Sequence, residues 1–172
     1  MKKIIFMLLV SINLFGGFID SVGPEVLKRA PLESFNYYIS ISGASSKNSY
    51  INDKNLEFSE AGIGIGLSMC FKNSVFIEGE AEYSYLILDK GNSSGFNLLS
   101  KVGYRFQNNI GFYGLIDIGI LDSDVGTGVG FGVNYKLTKK YIIGIEYRSL
   151  YLSTTSKSYS YETKRIYLKY NF

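Results

Sequence analysis

Glu78, Glu80 and Glu82 stand two residues apart, and three carboxylates in so short a run are the first side chains in this sequence that could do chemistry. Such a set could serve acid–base catalysis or hold a cation. The spacing argues against both. At a period of two the carboxylates share one face of a strand, ~7 Å from one to the next, too far apart to share a proton. Bases of the same parity are available to balance them. The chain contains no His, and no G-x-S-x-G nucleophile motif occurs. The glycine runs Gly62-x-Gly64-x-Gly66 and Gly126-x-Gly128-x-Gly130-x-Gly132 match neither the G-x-G-x-x-G nor the P-loop spacing, and neither opens a helical pattern, so no nucleotide site is expected. Cys70 is the one cysteine, which excludes an intramolecular disulfide and a CxxC metal cluster; it reads as a small buried residue. No catalytic, cofactor-binding or metal-ligating residue is expected, and the chain is read as a non-enzyme.

The elements that position these charges are strands. Both prolines, Pro24 and Pro31, precede residue 35, and from Phe35 onward the chain alternates between apolar and polar residues. That alternation predicts eight strands, over residues 35–44, 58–71, 75–88, 96–106, 110–121, 126–137, 141–152 and 162–172. The last shows the pattern at its clearest: Ile166, Leu168, Tyr170 and Phe172 alternate with Arg165, Tyr167, Lys169 and Asn171. Across all eight, one parity carries no Asp, Glu, Lys or Arg except Glu162 and Lys164. The other carries Glu60, Glu78, Glu80, Glu82, Asp117 and Glu146 together with Lys101, Arg105, Lys136, Arg148, Arg165 and Lys169. Tyr at 15, Phe at 12 and Gly at 19 favour tightly packed strands over helices. The net charge of +3 comes with no basic run, so no nucleic-acid partner is expected.

Connection lengths set the class. Residues 72–74, 107–109 and 138–140 form three-residue turns; residues 45–57, 89–95, 122–125 and 153–160 read as longer polar loops. In an up-and-down meander all the turns lie at one end and all the loops at the other, the asymmetry of bacterial outer-membrane barrels. A soluble barrel would invert the faces, with charges outside and apolar residues within. Met1-Lys2-Lys3 and the apolar run at residues 4–19 read as an export signal, too short for the ~20 residues of a spanning helix. The expected organisation is a signal peptide over residues 1–21, a tail over 22–34 and an all-β, eight-stranded antiparallel up-and-down transmembrane barrel over 35–172. Its apolar face meets outer-membrane lipid, and the chain is expected in the cell outer membrane.

This pattern resembles the small eight-stranded outer-membrane barrels: the membrane domain of outer-membrane protein A and the opacity-type or outer-membrane-protein-X-like family. The ending Tyr170-Asn171-Phe172 resembles the aromatic signal through which such proteins engage the barrel assembly machinery. The enzymatic outer-membrane barrels use a catalytic His, so the absence of His keeps their activities from carrying over. The resemblance implies a structural or surface-interaction role, with polar loops facing a host or surface ligand, and a monomer. The twelve inward ionisable groups must pair in so narrow a barrel. The loop at 89–95 sets an expected register with Glu82 across from Lys101, Glu78 across from Arg105 and Glu80 between, in room left by Gly64, Gly66, Gly128, Gly130 and Gly132. The alternative to a static network is a gate, in which pair-swapping opens a narrow water path for small solutes.

Overall fold

The structure, a computed structural model, describes residues 31–51, 54–88, 91–121, 124–153 and 158–172. The expected signal peptide lies outside these residues. Alternating residues produce eight strands: β1 (Leu32–Ile51), β2 (Lys54–Phe71), β3 (Val75–Leu88), β4 (Gly91–Arg105), β5 (Ile110–Leu121), β6 (Asp124–Lys136), β7 (Tyr141–Ser153) and β8 (Ser158–Asn171). Each pairs antiparallel with the next, and β8 returns to β1, from Tyr38↔Asn171 to Ile51↔Tyr159, to close the barrel. Closure leaves no strand edge and satisfies the backbone within the sheet, the condition for a β-structure in lipid.

Two of the three tight turns share one local design. Ser74 and Asn109, third residues of their turns, take left-handed φ values of 70° and 67°. This is the three-residue hairpin in which a type I turn is followed by a left-handed residue. The Ser74 amide donates to the Phe71 carbonyl at 2.9 Å, and the Asn109 amide to the Phe106 carbonyl at 3.0 Å. A side-chain oxygen completes each turn. Asn73 accepts from the Val75 amide, Asn108 from the Ile110 amide, and Thr138 from the amides of Lys140 and Tyr141.

At the opposite end the expected loops are corrected. Pairing runs on to Ile51↔Lys54, Leu88↔Gly91, Leu121↔Asp124 and Ser153↔Ser158. Much of what reads as loop is hairpin, with a register irregularity between Ser46 and Ser49. The backbone ladder does not need alternating side chains once it is aligned. The apolar period marks only the stretch with one greasy face, and the backbone pairing continues past it into the polar hairpin tips. β1, at 20 residues, and β2, at 18, are nearly twice the ~9–11 residues that cross a bilayer.

The alternation resolves into two surfaces. Outward, Ile65, Phe131 and Ile166 are more than 60% exposed, within a continuous coat of Ile, Val, Phe and Tyr. Edge-to-face aromatic pairs, among them Tyr104–Phe106 and Tyr170–Phe172, gather at the turn end. Such a band fits lipid and not water. Inward, the buried side chains are mainly polar or charged.

Candidate functional site in the barrel lumen

Ten of the twelve ionisable residues expected inside are buried in the lumen: Glu60, Glu78, Glu80, Glu82, Lys101, Asp117, Glu146, Arg148, Arg165 and Lys169. Arg105 and Lys136 also face inward, half-buried beside the tight turns. Tyr170 and Phe172 lie outside the lumen, with Phe172 exposed.

The register between β3 and β4 differs from expectation. Glu78 faces Lys101 and Glu82 faces Asn97. The hairpin closes at Leu88↔Gly91, so the seven-residue loop assumed at 89–95 does not exist and each partner moves by four residues. Glu78 is therefore not opposite Arg105.

Because the lumen is narrow, side chains pair across it as well as along its wall. Lys101 lies 2.9 Å from Glu80 and 3.1 Å from Glu146. Glu146 also contacts Arg148, which reaches Glu82 at 3.0 Å and Asp117 at 3.7 Å. Glu82 then contacts Arg165 at 2.7 Å, and Arg165 contacts Glu60. The result is one chain of alternating sign across the lumen: Glu80, Lys101, Glu146, Arg148, Glu82, Arg165, Glu60. Lys169 pairs with Glu78 beside it. Partners on both flanks suit buried charges, since an ion taken out of water loses several kcal/mol of hydration that only close, multiple contacts offset.

Neutral groups complete the network. Glu80 accepts hydrogen bonds from the hydroxyls of Tyr38 and Ser40, Glu146 from Tyr113 at 2.8 Å, and Glu82 from Ser42 and Asn97. The Tyr113 hydroxyl is 3.0 Å from that of Tyr167. Lys101 lies over the Tyr113 and Tyr167 rings, and Lys169 over Tyr38 and Tyr167, at 4.6–5.7 Å from the centroids. Phe76, Leu99, Tyr113, Leu115 and Tyr167 form a buried cluster inside the barrel. Period-two reading places these residues on the inward parity but gives no reason for lumen aromatics. The available signal was a glycine opposite each tyrosine: Tyr38↔Gly66, Tyr113↔Gly132 and Gly144↔Tyr167. In each pair a Cβ added to the glycine would meet the phenol ring at 2.5 Å or closer.

The sequence reading also assigns room for the acidic side chains to glycines, and two positions show how. A Cβ at Gly64 would meet Glu80 and Ser40; one at Gly62 would meet Ser42, with Glu82 and Arg165 just beyond. Gly128 and Gly130 instead let strands approach, facing the backbone carbonyls of Ser149 and Tyr147. Among the described residues no group of His, Cys, Asp or Glu is arranged to hold a metal ion.

No protein-family model and no curated protein sequence matches this chain. Solved structures do. Neisserial surface protein A is 15% identical, with 81% of this chain covering 100% of that one at a TM-score of 0.55. Ail, the attachment invasion locus protein of Yersinia pestis, is 16% identical, with 80% covering 98% and a TM-score of 0.56. The N-terminal β-barrel domain of Pseudomonas aeruginosa OprF is 12% identical, with 81% covering 100% and a TM-score of 0.57. The fold is that of the small transmembrane barrels. Ail has also been solved in complex with the heparin analogue sucrose octasulfate.

Proposed function

We propose that this protein is a monomeric outer-membrane barrel with a closed lumen that acts through its projecting hairpins, without chemistry of its own. One observation carries the reading: the ion-pair chain from Glu80 to Glu60 crosses the lumen and leaves the charges locked to one another. A passage for solute would have to break several of these contacts at once. The outward coat of Ile, Val, Phe and Tyr meets lipid, and the polar extensions of β1 and β2 carry the chain beyond the bilayer. Those extensions are the surface for a host or surface ligand, a role in keeping with Ail, whose heparin-analogue complex shows that a barrel of this fold can hold a polyanion. Export through a signal peptide at residues 1–21 delivers the chain to the periplasm. The aromatic strand β8, with Tyr170 and Phe172, is the part offered to the barrel assembly machinery.

The test is conductance of the refolded barrel in planar bilayers, after heat-modifiable gel mobility has established folding. Silence is the expected result, and steady single-channel steps would overturn the closed-lumen reading. One observation favours the alternative, a narrow pore gated by the salt bridges. Glu60 Oε2, Glu78 Oε1 and Asp117 Oδ1 are buried without a hydrogen-bond partner, and they mark places where water could enter. On that reading openings appear and disappear on neutralising Glu82 or Lys101.

A further inference from the structure

The charges in the lumen are segregated. All six inward acids gather with Lys101, Arg148, Arg165 and Lys169, and the other two bases, Arg105 and Lys136, are left at the turn end. Neither has a carboxylate within ion-pair distance among the described residues. There a cavity of about 220 Å³ opens to solvent, bordered by Arg105, Lys136, Cys70 and Phe76, with Glu33 and Ser34 also lining it. Of these side chains only Glu33 is acidic, and it is exposed.

Arg105 is held in place. Its guanidinium lies 4.9 Å from the centroid of the Phe76 ring, one terminal nitrogen is 3.9 Å from Cys70 Sγ, and the other donates to Asn134 Oδ1 at 3.4 Å. These contacts are weak or long, and none neutralises the charge. The Arg105 Nε is buried without an acceptor. Asn134, itself 1% exposed, has its amide nitrogen in the same condition. A guanidinium with an unused N–H and a second cation, both lining a cavity too small for a drug-sized ligand, are complementary to a small oxyanion.

We propose that this turn-end cavity is a binding site for a small oxyanion of the phosphate or carboxylate class, held by Arg105 and Lys136. The site is independent of whether the lumen conducts and of what the hairpins bind. With two inward bases against one exposed acid the pocket carries net positive charge, and a cleft with such a field raises the local concentration of counter-ions by ~10-fold or more.

Cys70 borders the cavity and is the one cysteine in the chain, so it reports on the site. The full chain, refolded in detergent, is labelled with two methanethiosulfonate reagents of similar size, one anionic and one cationic, at constant ionic strength. The ratio of the two rates cancels the intrinsic reactivity of the thiol. The anionic reagent is expected to react ~10-fold faster or more, and inorganic phosphate to slow it selectively. Lys136→Gln and Arg105→Gln should each lower the ratio, and together bring it to about one, with phosphate protection lost. Equal rates in the unaltered protein, or an anionic rate that phosphate leaves unchanged, would overturn the proposal. Since both measurements use the unaltered chain, a variant that fails to fold does not rescue it.

Discussion

Lys169 and Arg105 both project into the lumen, yet they sit in opposite surroundings. Lys169 is 1% exposed, contacts Glu78 and lies between the Tyr38 and Tyr167 rings. Arg105 is half-buried, rests on Phe76 and, among the described residues, has a thiol and an amide oxygen as its polar partners. The difference teaches where in the barrel charge serves structure. Deep in the lumen a cation cannot keep its hydration and is tolerated only beside an acid. At the turn end water is near, so a cation can stand without an acid and stay open to a ligand.

The sharpest way to break this comparison is to remove the deep cation. Lys169→Met leaves Glu78 buried with no base, and one of its oxygens already lacks a partner. The expected loss is about 3–5 kcal/mol of unfolding free energy. Urea unfolding in micelles, followed by circular dichroism because the chain has no Trp, would measure it. Adding Glu78→Leu should restore most of the loss, because an apolar pair of similar volume replaces a buried ion pair at little cost. If the double variant is as unstable as the single, the pair is not the source of the effect.

The tyrosines that flank these cations depend on glycines, which gives the next largest effect. A Cβ on Gly66 would sit 2.4 Å from the Tyr38 ring and 2.5 Å from the Gly79 carbonyl. The backbone atom cannot move aside as a side chain can. Gly66→Ala is expected to cost about 1–3 kcal/mol by overpacking, read from the same unfolding curves. A neutral result would mean that Tyr38 has another place to go, and that the lumen is less tightly filled than its contacts indicate.

These two sites also show how far the sequence could be read. Period two placed Lys169 and Glu78 on the inward parity, because a strand presents alternate residues to opposite faces whatever its neighbours. Strand number, meander order and the tight turns follow from the same local pattern and from short-range chemistry such as Asn73 and Asn108. Pairing does not follow from it. Glu78 lies opposite Lys101 along the wall, yet its ion-pair partner is Lys169, from the far end of the chain. Partners across a lumen depend on closure and stagger, which no single strand encodes. The hairpin tips are not legible for a related reason. Polar residues there pair through their backbones, and backbone pairing leaves no trace in side-chain alternation. The Tyr–Gly pairs were legible only once the register was known.

At the turn end the comparison predicts a much smaller penalty. Arg105→Gln removes a cation that has no acid to leave behind, so no buried charge is stranded. What is lost is the contact with Phe76, worth about 0.5–1 kcal/mol at a partly exposed site. A change of that size in unfolding free energy, against several kcal/mol for Lys169→Met, is the expected contrast. A loss as large as that of Lys169→Met would show that Arg105 is tied into the deep network after all.

The smallest effect lies on the outer wall, and its sign is reversed. Gly43 faces outward between Ala61 and Ile166, and a Cβ built there meets nothing within 4 Å. Where Gly66 is required by a ring pressed against it, Gly43 only adds freedom to the unfolded chain. Gly43→Ala should therefore raise the unfolding free energy by about 0.5–1 kcal/mol, the usual cost of Gly within a regular element. The result would appear as a higher urea midpoint with an unchanged slope. Destabilisation instead would mean that the gap above Gly43 is occupied in the folded barrel, and the outer wall would then carry a close contact of its own.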